Sequence, residues 1–90
     1  MEFTIEVDVK DSDGKVILDA NGVKRHCIQF ELNIPEDKVE WHLRNIAKSL
    51  TAWMPDKIIN ISASVFNILS STYMNMYSLY VKEDRFVTHN

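Results

Sequence analysis

One cysteine, two glycines and two prolines in 90 residues remove several classes of protein at once. Cys27 stands alone, so there is no intramolecular disulfide and no cysteine pair to hold zinc. The three histidines, His26, His42 and His89, are scattered without the paired spacing of a metal site. Two isolated glycines cannot build a loop that cradles phosphate. So little glycine and proline also argues against a disordered or loop-rich chain. No basic stripe of the kind that replaces counterions along nucleic acid is present, and the net charge is −3.

Catalytic constellations are equally scarce. His26 and Cys27 are adjacent, so on a strand they point to opposite faces and cannot pair as base and nucleophile. Asp11-Ser12-Asp13-Gly14 begins like a calcium loop but lacks the later ligands, and reads as a turn. No enzyme, metal or cofactor is expected. From Ile58 to Val81 no residue is charged, yet nine of those 24 are polar, which speaks against a membrane span. Met1 leads directly into a strand-like run with no apolar signal segment, and with the lone cysteine this gives the expectation of a cytoplasmic protein.

What is present is enough for one domain over 1–90. Charge is uneven: residues 1–40 carry ten acidic and five basic side chains, and residues 41–90 three and five. Phe3 to Lys10 alternates apolar and polar without a miss, the pattern of a strand with one dry face. A second strand is expected over about 15–20 and a third over about 24–34. Asn21-Gly22 marks a turn between them. Register favours a three-residue loop there, because pairing Ala20 with Lys24 and Val16 with Ile28 keeps one apolar face continuous.

Pro35, followed by Glu36, Asp37 and Glu40, starts a helix expected over 35–53, with Val39, Leu43, Ile46, Leu50 and Trp53 on its core face. Pro55-Asp56-Lys57 repeats that start. A second helix is therefore expected over 56–82, with the stripe Asn60, Ser64, Asn67, Ser71, Asn75 and Ser78 at spacings of three and four. Ile59 to Val65 also alternates strictly, so a fourth strand there, followed by a shorter helix, is the alternative. The tail 83–90 is expected to fray.

The expected fold class is thus α+β: a three-stranded antiparallel sheet in the order β-β-β-α-α, two helices on one face, with β-β-β-α-β-α as the alternative. Its expected core is Phe3, Ile5, Val7, Val9, Leu18, Ile28, Phe30, Leu32, Val39, Leu43, Ile46, Leu50, Phe66 and Leu69.

Three surfaces draw attention. The first is an acidic sheet face, Glu6, Asp8, Asp11, Asp13, Asp19 and Glu31, suited to a basic surface of another protein. The second is the uncharged stripe, suited to a homodimer or partner interface where charges would be costly to desolvate. Trp41, off the helix's core stripe, is the third, an aromatic anchor.

These features point to a small non-enzymatic binding protein acting by protein–protein interaction. By analogy of size and charge, a phage or mobile-element inhibitor of a host nucleic-acid-handling defence protein fits, working in the host cytoplasm. Rival readings are a nucleic-acid-binding regulator using Arg44, Lys48, Lys57 and Arg85, a structural assembly subunit, and a site between two copies built on His26, His42 or a tyrosine.

Overall fold

The computed structural model describes residues 1–24, 27–82 and 85–89, the last five by their backbone alone. Strand β1 spans Glu2–Lys10 and β2 Cys27–Asn33. A 3₁₀ turn at Glu36–Lys38 leads into helix α1, Val39–Trp53. Strands β3 (Ile58–Asn67), β4 (Thr72–Lys82) and β5 (Arg85–His89) follow. All five strands pair antiparallel in the order β2-β1-β3-β4-β5.

This corrects the expected three-stranded sheet with two helices. One helix packs on the sheet, and 58–82 is a hairpin, not a helix. Ile58, Ile59, Ile61 and Val65, with serines and asparagines between them, are poor helix formers and suit a pleated, half-buried surface. The helical spacing further on has a specific cause. Ala63 pairs with Tyr77 but Ser64 with Asn75, so Met76 is an extra residue, a β-bulge, in β4. The bulge turns a period of two into a step of three: Asn75 and Ser78 share a face, as residues i and i+3 would on a helix. Asn75 braces it, accepting the Tyr77 N–H through Oδ1 (3.2 Å) and donating through Nδ2 to the Ser78 hydroxyl (2.9 Å). The tail pairs too, with β5 joining β4 from Ser78↔His89 to Lys82↔Arg85.

Register fixes two faces. Ile5 lies between Phe30 and Ala63, Val7 between Ile28 and Ile61, and Val9 beside Ile59. These, with Phe3, Leu79 and Val81, form the dry side against Val39, Leu43 and Ala47 of α1. The other side carries Thr4, Glu6 and Asp8 of β1, Gln29 and Glu31 of β2, Asn60, Ser62 and Ser64 of β3, and Asn75, Ser78 and Tyr80 of β4. No helix covers it.

The second expected strand is not a sheet member. Residues 11–24 form an arm that bridges to the end of β1 at Lys10↔Val16, closes on itself at Leu18↔Lys24, and reaches the sheet again through Ile17 and Lys24. A three-residue loop forms, but as Ala20-Asn21-Gly22, so Lys24 faces Leu18 rather than Ala20. The same device occurs twice. Asp11 Oδ1 accepts from Asp13 N and Lys15 N, as Asp19 Oδ1 does from Asn21 N and Val23 N. Gly14 and Gly22, at φ 81° and 77°, close the two loops in the left-handed region.

Several expected core residues are outside. Leu18, Ile28, Phe66 and Leu69 are exposed, and Trp53, read as part of the helix's core face, stands in solvent at the end of α1. Ile59, Ile61, Ala63, Leu79 and Val81, which the helix reading left out of the core, are buried.

Candidate functional site: a charge-free hairpin beside an acidic pair

β3 and β4 extend past the start of β1 and end in the turn Ile68–Ser71. Polar side chains hold that turn. Asn67 Oδ1 accepts the Leu69 N–H at 3.0 Å and the Ser70 N–H at 3.4 Å, the Ser70 and Thr72 hydroxyls meet at 2.7 Å, and Ser71 takes φ 53°. The backbone needs are thus met locally, which leaves Ile68 and Leu69 free to project. They are 81% and 98% exposed. Turns favour Gly, Asn, Asp and Ser at such positions, so two aliphatic residues here put bulk where solvation disfavours it. Phe66 and Tyr73 pack together behind them, ring centroids 5.2 Å apart with their planes tilted by 59°, and Met74 is exposed on the opposite side. The hairpin ends in an apolar tip on both faces.

Beside the tip lies a concavity of about 390 Å³ walled by Phe66, Ile68 and Tyr73 on one side and Glu2, Thr4 and Glu31 on the other. The Thr4 hydroxyl donates to Glu31 Oε1 at 3.3 Å. A hydrogen bond with Glu31, then that carboxylate's charge, pushes the Glu2 carboxyl above the usual carboxylate value. Glu2, which the sequence reading did not single out, thus completes an acidic pair at the tip. Only strand register reveals it: Glu2 pairs with Asn33, which sets it diagonally across from Glu31 on the same face.

Of the expected acidic face, Glu6, Asp8 and Glu31 do share the uncovered side of the sheet. Asp8 is engaged by Lys24 of the arm, Nζ to Oδ1 3.3 Å, and this hydrogen-bonding contact and charge raise the Lys24 ammonium above its ordinary value. Asp11 and Asp19 spend a carboxylate oxygen on their own loops, and Asp13 sits exposed in the first of them. The uncharged stripe is divided. Asn60, Ser64, Asn75 and Ser78 lie on the uncovered face, while Asn67 and Ser71 build the hairpin turn. Trp41 is exposed on α1, edge-on to the His42 ring at 4.9 Å.

The basic group expected on one side is partly engaged with acids: Arg44 Nε meets Glu40 Oε1 at 3.1 Å and Lys57 Nζ meets Asp56 Oδ2 at 3.4 Å. His26 and the side chains of Arg85, Phe86, Val87 and His89 lie outside what is described. Among the described residues, no group of three or more His, Cys, Asp or Glu could hold a metal ion, and no helix is long and apolar enough to cross a membrane.

The fold and its surfaces define a small antiparallel α+β domain, one sheet under one helix, with an apolar hairpin tip. No protein-family model, curated protein or solved structure matches the chain.

Proposed function

We propose that this is a non-catalytic protein-interaction domain that engages its partner by inserting the β3–β4 tip into an apolar cleft with a basic rim. The observation that carries the reading is the near-complete exposure of Ile68 and Leu69 on an ordered turn. Scattered surface aliphatics are ordinary, but Phe66, Ile68, Leu69, Tyr73 and Met74 are contiguous, and contiguous apolar patches mark interaction sites. Glu2 and Glu31 beside the tip supply the acidic complement to a basic rim. They also set the domain against anionic lipid surfaces, so a protein cleft is favoured over a bilayer. Basic-rimmed clefts are what nucleic-acid-handling proteins present, which makes inhibition of such a protein the form of activity to test.

The test places a photo-crosslinking side chain at Leu69, and at Ser12 as a control, and asks what is captured in a native extract. A partner captured from position 69 alone, which once identified binds the Ile68→Asp with Leu69→Asp variant at least about thirtyfold more weakly than the unsubstituted domain, is the expected result. Binding to neutral vesicles in place of protein, or captures identical from both positions, would overturn it.

A further inference from the structure

β2 is an edge strand whose outer side is unpaired among the described residues. Natural edges are blunted by lysine, proline, a bulge or a covering element. β2 has seven residues, no proline or lysine, a regular register against β1, and Glu31 as its one charge. Nor does the helix layer cover it. Four strand spacings of about 4.8 Å make the sheet roughly 19 Å wide, whereas one helix covers about 10 Å. α1 lies over β3 and β4, so the β2 flank of the dry face is only partly covered: Phe30 and Leu32 are half-buried and Ile28 is exposed. Between that flank and the end of α1 runs an apolar groove of about 210 Å³, lined by Val7, Val9, Ile28, Leu50, Trp53 and Met54. Ile28 is 57% and Trp53 77% exposed at its margin.

We infer that β2 pairs with β2 of a second copy of this chain about a two-fold axis at Phe30, making one continuous sheet across the dimer. The choice of occupant follows from the strand's own self-complementarity. Run antiparallel to itself and centred on Phe30, the strand sets Ile28 against the copy's Leu32, Gln29 against its Glu31, and Cys27 against its Asn33. All seven residues pair, every apolar residue meets an apolar one, and each carboxylate faces a neutral amide. Moving the axis to Glu31 opposes two like charges and loses two pairs; moving it to Gln29 loses two pairs and leaves Glu31 facing Cys27. On the dry side, Ile28, Phe30 and Leu32 of both copies join the two grooves into one apolar layer, and Trp53 of each gains a neighbour. The interface is isologous, so it closes at two and exposes no new β2 edge. This goes beyond the tip proposal, since the dimer would carry two tips.

The test uses Cys27 as it stands. In one chain, position 33 lies about 20 Å from Cys27, too far for a disulfide. Across the inferred axis the two are opposite, with Cα atoms about 5 Å apart. Wild type should sediment at twice 10.5 kDa, and mild oxidation should cross-link Asn33→Cys into a dimer but not wild type, whose two Cys27 thiols lie at opposite ends of the seam. Ile28→Lys, on an exposed edge position, should leave a folded monomer that no longer cross-links when combined with Asn33→Cys. A wild type that stays monomeric to millimolar concentration, or equal cross-linking with and without Asn33→Cys, would overturn the inference. Ile68→Asp with Leu69→Asp should leave the mass unchanged, so failure of the tip reading and failure of the dimer are separable.

Discussion

Glu40, in the first turn of α1, accepts a hydrogen bond from the Tyr77 hydroxyl of β4, and Arg44 closes on the same carboxylate from one helical turn further on. The pair joins the helix to the sheet at the point where the β4 bulge turns Tyr77 toward α1. Together the two partners hold the Glu40 carboxyl below its usual value.

Tyr77→Phe should therefore weaken the domain in a pH-dependent way. A carboxyl depressed in the folded state contributes stability that is full above its unfolded value, near 4.5, and is lost as pH falls through the folded value. Urea unfolding from neutral to acid pH should show a flatter acid limb in the variant than in wild type. Parallel curves would mean that the contact is not made in solution.

The acidic pair at the tip has the opposite sign. Glu2 is raised by Glu31, so its contribution is full below about 4.5 and is lost as pH rises through the folded value. Glu31→Gln removes the repulsion while leaving an amide oxygen for the Thr4 hydroxyl. Its melting temperature should exceed that of wild type at neutral pH, with the difference fading toward pH 4. A variant less stable at neutral pH would show that the Thr4–Glu31 bond matters more than the repulsion.

Core and tip should respond very differently to truncation. Ile61 is buried in the middle of β3, and Ile61→Ala should cost about 2–5 kcal/mol by denaturant titration. Leu69→Ala at the tip should change stability by no more than about 0.5 kcal/mol. A large loss at Leu69 would place that side chain in a packed environment and count against its availability to a partner.

The arm loops offer a backbone test. A Cβ on Gly22 would meet no neighbour within 4 Å, so any loss in Gly22→Ala comes from φ 77° alone. About 1–2 kcal/mol is expected from the steric preference of L-residues. An unchanged stability would mean that the arm opens independently of the sheet.

How far the chain could be read from its residues depended on whether periodicity was local and unbroken. β1 alternates cleanly, so its buried face was legible. Helix α1 announced itself through Pro35, the acids that follow and the spacing of Val39 and Leu43. β4 was not legible, because Met76 shifts the alternation by one and Asn75, Ser78 and Lys82 then fall at helical intervals. Once that run is taken for a helix, Ile59 and Ile61 fall to the wrong element and Leu69 into an imagined core. The site suffered similarly. Glu31 and Glu6 could be placed on one face from alternation alone. The Glu2–Glu31 pair and the projecting Ile68–Leu69 required the register of β1 on β2 and the length by which β3 overhangs β1.

The run without charge from Ile58 to Val81 also governs how the molecule comes apart. Between the carboxylate and tyrosine ranges, β3 and β4 have no ionisable side chain within that run, so a proton finds nothing to bind in two of the sheet's three interior strands. Glu2 with Glu31, Lys24 with Asp8, and Glu40 with Arg44 all lie on β1, β2, the arm or the helix. Acid should thus act first on the helix, where Glu40 loses its hydrogen-bonded charge, while it relieves the Glu2–Glu31 repulsion, and amide hydrogens of the central hairpin should be the last to exchange.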